Sequence, residues 1–218
     1  LKVNVKDSVS LKFVSEKSVL LELKREDLYP IGKKRQEINF LEIERQLLRN
    51  ALIKEVECYF TPNGTVIINI WQREPLFRVM SLNRENYYVD AERNILPISK
   101  NYAAYVPIVT GYANKNFTTG ELFEFIVFLQ KDKFWKNQIQ QINIDKKNQI
   151  EMIPSVGNHL IFMGTLENYP NKINRLMLLY KKGLNILGWN QYSVIDLSYE
   201  KQVVCTKRYG YRDYYEAK

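Results

Sequence analysis

The feature that most constrains this 218-residue chain is a tight turn between two stretches of alternating hydrophobicity. The alternating residues are Val56, Cys58 and Phe60 before the turn and Val66, Ile68 and Ile70 after it. The turn itself, Thr61-Pro62-Asn63-Gly64, contains the Asn-Gly pair that two-stranded hairpins favour. The sequence therefore predicts an antiparallel hairpin. Its second strand ends before Pro75, because proline cannot donate to a sheet ladder.

Two helices and a strand are predicted upstream of this hairpin. Residues 1–12 alternate loosely and indicate an opening strand, and residues 19–28 indicate a short helix. Asn39, followed three residues later by Glu42, is an asparagine version of the capping box and marks the start of a second helix. The predicted order over residues 1–75 is β-α-α-β-β, which is enough for one small domain.

The rest of the chain, residues 76–218, is predicted to form a second domain. Its strand-like stretches are 76–80, 87–90, 106–109, 139–144, 149–153 and 159–163. Thr118 and Glu121 form a second capping box, and a longer helix is expected from Pro170 to Gly188. These patterns predict antiparallel strands with two helices, so the whole chain is expected to be α+β.

The charge of the chain favours a solvated basic surface over a specific polyanion site. Lys and Arg number 32 against 24 Asp and Glu, a net charge of +8, and no block of five or six like charges occurs. A nucleic-acid footprint should cluster on one face, so no nucleic-acid partner is expected. A contribution from a nearby membrane surface is the third interpretation.

The chain carries no residue pattern that predicts catalysis. It has two cysteines and one histidine, His159, too few ligands for a structural zinc site. Any Ser-His-Asp or Cys-His set would need His159, and a lone histidine is more often a surface or satisfied core residue than a catalytic base. Glycine-rich phosphate loops are absent, and no run of about 18 apolar residues spans a bilayer. We therefore expect no enzyme activity, no cofactor, no metal and no small-molecule substrate.

The chain resembles a known family over nearly its whole length. The run from Ile38 to Val79 resembles the polypeptide-transport-associated (POTRA) domain of the FtsQ/DivIB bacterial division family, most closely its Bacteroidetes type. Further matching motifs follow in the family's order: Tyr87–Asp90, Leu96–Ser99, Val106–Gly111, Phe162–Tyr169 and Ile195–Tyr199. Ser198 stands where the family usually has Arg, so any role of that Arg does not carry over.

The resemblance implies a fold and a location. The fold is an N-terminal POTRA domain followed by an FtsQ-type β domain. The location is the periplasmic face of the inner membrane at the division septum, with anchoring through an upstream transmembrane helix absent from this chain. The implied function is a non-enzymatic scaffold of the division machinery, or divisome, that binds the FtsB/FtsL pair and other divisome components.

The resemblance also implies that a strand of FtsB adds to the edge of the last strand. Alternation places Val203 and Cys205 toward the core and Val204 outward. An open strand edge offers unpaired backbone groups to a partner strand. The predicted partner-binding residues are Tyr199, Lys201, Gln202, Val203, Val204, Cys205, Thr206 and Lys207. The alternative is that the tail from about Tyr209 covers this edge, as edges are usually protected.

Three other functions compete with this prediction. The first is a POTRA-type chaperone or assembly module of an outer-membrane or secretion machine, a class that usually carries the domain in tandem or before a barrel. The second is a basic nucleic-acid binder, whose affinity would fall steeply with salt. The third is an enzyme, which would need a pocket of convergent ionisable groups.

Overall fold

The computed structural model describes residues 1–6, 11–99 and 102–208. The chain forms two compact units, one of residues 1–76 with 87–105 and the other of residues 77–86 with 106–218. The predicted division into domains of 1–75 and 76–218 stays a prediction. The predicted tail from about 209 lies outside the described residues.

The first unit contains the predicted helices and hairpin. Its elements are β1 (Lys2–Val5), α1 (Glu16–Arg25), a 3-10 turn (Arg35–Glu37), α2 (Phe40–Leu47), β2 (Ile53–Phe60) and β3 (Val66–Gln72). The strands lie in the order β1-β3-β2, with β1 parallel and β2 antiparallel to β3. Gly64 adopts a φ of +81° in the hairpin turn, a conformation that glycine tolerates best. The predicted order β-α-α-β-β is confirmed.

Local hydrogen bonds explain two features of the first unit. The Asn39 side chain accepts a hydrogen bond from the Glu42 backbone N–H at 3.2 Å, which confirms Asn39 as the N-cap of α2. Gln72, only 5% exposed, accepts from the Val14 N–H and donates to the Leu11 carbonyl, both at 2.9 Å. These bonds hold the segment before α1 against the central strand.

The second unit is built mainly of strands. Its chain order is β4 (Pro75–Ser81), then β7 (Ile108–Gly111), α3 (Lys115–Thr119), α4 (Glu121–Lys131), α5 (Lys133–Gln138), β8 (Ile139–Ile144), β9 (Ile150–Pro154), β10 (Leu160–Gly164), α6 (Tyr169–Leu179), a π turn (Tyr180–Leu184), α7 (Asn185–Leu187), β11 (Tyr192–Asp196) and β12 (Val204–Lys207). Between β4 and β7 in the chain, strands β5 (Asn86–Asp90) and β6 (Ile95–Leu96) form an antiparallel pair, and nearly all of this pair belongs to the first unit. The sheet of the second unit runs in the order β12-β11-β10-β9-β8-β7-β4.

The α+β class is confirmed, but the second sheet is mixed rather than purely antiparallel. The β8–β9, β9–β10 and β11–β12 pairs are antiparallel, whereas β4–β7, β7–β8 and β10–β11 are parallel. Helical segments make the β7–β8 and β10–β11 pairings possible, because a chain needs a crossover connection to re-enter a sheet in the same direction. The helices α3, α4 and α5 lie between β7 and β8, and α6 with α7 lies between β10 and β11.

The capping box predicted at Thr118 and Glu121 is wrong. Thr118 is fully buried within α3, and its hydroxyl donates to the Lys115 carbonyl. Asn114 caps α3 instead by accepting from the Phe117 N–H at 2.9 Å. The later helix fits the prediction better: α6, the π turn and α7 run without interruption to Gly188, whose φ of +97° ends them.

Candidate functional site

The last strand, β12, is the final strand of its sheet. It pairs antiparallel with β11, and Ile195 lies opposite Cys205 while Asp196 lies opposite Val204. Within residues 1–6, 11–99 and 102–208, no strand pairs with the outer side of β12. The candidate site is therefore this outer edge together with the connection that leads into it.

The direction of the β12 backbone groups can be derived from two hydrogen bonds at the ends of the pair. The Leu197 N–H donates to the Phe162 carbonyl of β10 at 2.8 Å, and the Arg208 N–H donates to the Gln191 carbonyl at 2.9 Å. Backbone groups of successive strand residues point to opposite sides. Val204, Thr206 and Arg208 therefore bond toward β11, whereas Val203, Cys205 and Lys207 direct their backbone groups to the free edge.

The side chains of the predicted partner-binding residues fall into two groups. Val203 and Cys205 are half-buried, and Lys201, Gln202, Val204, Thr206 and Lys207 are exposed. Val204 is an apolar residue with 39% of its surface exposed, as the alternation predicted. Tyr199 is 50% exposed, unlike the buried Ile195 and Leu197, because β11 ends at Asp196 and the strand alternation does not reach it.

Two arginines, Arg175 and Arg208, attach the two ends of β12 to the rest of the unit, and the sequence patterns did not predict these contacts. Arg175 of α6 donates to the carbonyls of Leu197, at 3.1 Å, and of Tyr199 and Gln202. Arg208 donates to the Asn158 carbonyl and, at 3.5 Å, to the Tyr192 carbonyl. The entry to β12 and its exit are thus both attached to the unit by guanidinium groups.

A nearby lysine on α6 was also missed by the sequence patterns. Lys172 is 8% exposed and donates to the carbonyls of Met163, at 3.1 Å, and Thr165, at 2.8 Å. Burial, followed by repulsion from Arg175, lowers the pKa of its ammonium group. The available signal was its position: Lys172 lies four residues before the buried Leu176, so it shares the buried stripe of the helix.

The only histidine is a structural residue of the same unit. His159 is 4% exposed and its Nε2 lies 2.8 Å from the Tyr180 hydroxyl, while Tyr180 packs against the rings of Trp135 and Trp189. Burial lowers the pKa of His159, and the positive charge of Arg208 lowers it further. A neutral, buried imidazole fits a packing role beside the Asn158 carbonyl that Arg208 binds.

The described residues offer little else that could carry chemistry. Burial raises the pKa of the Cys205 thiol, and burial with the charges of Glu44 and Glu57 raises that of Cys58 to about 12. Neither thiol is in a disulfide. In the described ranges no group of three His, Cys, Asp or Glu residues could hold a metal ion, and no helix there is long and apolar enough to cross a bilayer.

Comparison with protein families matches two parts of the chain. Residues 1–71 match the POTRA-like domain, and residues 74–206 match the family described as FtsQ/DivIB, C-terminal related. A search of curated proteins returned no match. The second match covers more than half of the 218 residues and includes β11 and most of β12. The chain therefore belongs to the FtsQ/DivIB family.

Proposed function

We propose that this protein is a non-enzymatic scaffold of the divisome that binds the FtsB/FtsL pair through the outer edge of β12. Family membership supports a division-protein scaffold in general. The observation that carries the finer proposal is the free outer side of β12 within the described part of the chain. In this proposal the protein works at the periplasmic face of the inner membrane, at the septum.

Partner binding by strand addition makes use of the backbone of β12. The carbonyls of an FtsB strand would accept hydrogen bonds from the outward N–H groups of Cys205 and Lys207. The N–H groups of that strand would donate to the outward carbonyls of β12. Main-chain bonds supply affinity, and the exposed side chains of Val204 and Thr206 supply specificity. The Tyr199 side chain, half exposed in the connection, offers an aromatic contact at the start of the edge.

Charge complementarity supports an acidic partner segment. Lys201 and Lys207 are exposed and flank the edge, and Arg208 comes directly after it. Such rim charges raise the association rate more than they raise affinity. The association rate constant should therefore fall as the salt concentration rises.

The alternative of a POTRA-type chaperone or assembly module is less well supported. The POTRA-like match favours it, but this match stops at residue 71, and the FtsQ/DivIB match covers residues 74–206.

The test compares two variants at one position by titration calorimetry with the soluble FtsB/FtsL segments of the same organism. Cys205→Pro removes an outward N–H, whereas Cys205→Ala keeps it. We expect Cys205→Ala to bind like the wild type and Cys205→Pro to bind at least about tenfold more weakly, because one strand-pairing donor is lost. Proline at Val204 would instead remove a bond to β11, so it is less diagnostic.

Folding of both variants is checked by circular dichroism and thermal unfolding. Equal binding by a folded Cys205→Pro variant and by Cys205→Ala would contradict strand addition at this edge. Failure of the wild type to bind would contradict the choice of FtsB/FtsL as the partner.

A further inference from the structure

The connection between β11 and β12 is exposed and has few attachments of its own. Residues 198–202 are all exposed. The Asp196 carboxylate accepts hydrogen bonds from the Ser198 N–H and hydroxyl, which fix only the first turn of the connection. The strand after the connection has four residues and, within the described part of the chain, one neighbouring strand. Strands of this kind open locally at low cost unless something holds them.

The Arg175 side chain binds this connection at three backbone carbonyls. Its Nη2 donates to the Leu197 carbonyl at 3.1 Å, and its Nη1 donates to the carbonyls of both Tyr199 and Gln202. Tyr199 and Gln202 are three residues apart, so sharing one nitrogen brings the two arms of the turn together. The carbonyl of Gln202 is two residues before β12 begins.

The geometry depends on the shape of the guanidinium group. Arginine presents five N–H donors in a rigid planar fork, whereas lysine presents a single flexible ammonium group. Only the fork can reach the Leu197 carbonyl from one nitrogen and the other two carbonyls from a second nitrogen. Arg175 itself is anchored on α6 beside the buried residues Ile173 and Leu176.

We propose that Arg175 is a positioning residue for partner binding: it fixes the β11–β12 connection so that β12 is aligned before a partner strand arrives. The inference rests on the proposed function, and it adds how β12 is kept ordered in the free protein. A strand that is already ordered loses less conformational entropy on binding, so its affinity is higher. Arg175 acts through the connection and makes no contact with the partner strand.

The first experiment measures amide hydrogen exchange in the free protein and needs no partner. In Arg175→Ala we expect the Val204 and Thr206 amides, which bond toward β11, to exchange about tenfold faster or more, while amides of β8 and β9 keep their rates. Arg175→Lys should lie between the wild type and Arg175→Ala. Lys182→Ala removes an exposed cation from the π turn after α6 and should leave all rates unchanged.

The second experiment measures binding of the FtsB/FtsL segments to the same variants and adds a covalent rescue. Ile195 faces Cys205 in a pair without mutual backbone bonds, a geometry in which the Cα atoms lie close enough for a disulfide. Ile195→Cys, oxidised to Cys205 in a Cys58→Ala background, should tie β12 to β11. Arg175→Ala should weaken binding about tenfold, and the disulfide should restore most of it.

The outcomes separate the two proposals. Unchanged exchange at Val204 and Thr206 in Arg175→Ala would overturn the positioning role. Restored protection without restored binding would also overturn it, because Arg175 would then contact the partner directly. Faster exchange in Arg175→Ala would show that Arg175 fixes β12 in the free protein. If the wild type at the same time fails to bind FtsB/FtsL, the proposed function is overturned.

Discussion

Among the described residues, β2 and β12 are both edge strands of their sheets, but their outer edges differ. In the first unit the Thr61 N–H bonds to the Thr65 carbonyl across the hairpin, so alternation directs the Cys58 N–H to the outside of β2. There it donates to Glu44 of α2 at 2.8 Å. In the second unit the outward groups of Cys205 have no neighbouring strand among the described residues.

The comparison shows how an edge strand can be closed without another strand. Unpaired edges invite pairing with other chains, and proteins usually block them. A single carboxylate from the helix beside β2 uses up an outward donor in the middle of that edge. On the β12 side, Arg175 binds the Gln202 carbonyl just before the strand, and Arg208, which directly follows the strand, binds the Asn158 carbonyl. Among the described residues, neither guanidinium group bonds to the middle of β12.

The largest expected effect comes from removing the closure of β2. Glu44→Ala leaves the Cys58 N–H without its charged acceptor and should lower the free energy of unfolding by about 1–2 kcal/mol. It should also raise self-association at high protein concentration, because an edge donor becomes available. Chemical denaturation and analytical ultracentrifugation measure the two effects.

Glu44→Gln is the matched control for this prediction. It keeps an acceptor oxygen in place and removes the charge, and neutral acceptors form weaker bonds than charged ones. Its stability should therefore lie between that of the wild type and that of Glu44→Ala. If both variants unfold like the wild type, the carboxylate does not hold the edge and the contrast between the two edges loses its basis.

A smaller effect concerns the pH dependence at the end of β12. Burial, then Arg208, holds the pKa of His159 below its usual 6.5 in the folded protein. The unfolded chain then binds the proton more readily, so the stabilisation from neutral His159 is complete above about pH 6.5 and is lost as the pH falls toward the folded-state pKa. The drop in unfolding temperature from pH 7.5 to pH 5.5 should be smaller for His159→Gln than for the wild type.

A local readout sharpens this prediction for the second unit. The Asn158 carbonyl that Arg208 binds directly precedes His159 in the chain. Protonation of His159 should therefore speed exchange at the Arg208 amide before it affects β8. Equal pH dependence in the wild type and His159→Gln would show that other groups set the acid sensitivity.

The sequence was informative wherever a local pattern determines structure. The alternation on both sides of Asn63-Gly64 located β2 and β3, and Asn39 marked the start of α2, because hairpin turns and helix caps depend on neighbours within a few residues. The capping box predicted at Thr118 failed because a Thr followed three residues later by Glu can also occur within a buried helix. There, tertiary packing decides the partner of the Thr side chain.

The parts of the site that depend on distant residues could not be predicted. Arg175 meets carbonyls that are 22 to 27 positions away, and Arg208 meets one that is 50 positions away. No local periodicity signals such contacts. The order of the strands in the second sheet has the same origin, because parallel pairing of β10 with β11 depends on how α6 and α7 cross over.

The most direct test of the account is amide hydrogen exchange, read residue by residue by NMR, on the protein with and without the FtsB/FtsL segments. If a partner strand adds to β12, the outward amides of Cys205 and Lys207 should exchange quickly in the free protein and become strongly protected in the complex. Amides of β2 should keep the same rates in both. A complex that forms while the Cys205 and Lys207 amides still exchange at their free rates would contradict the account.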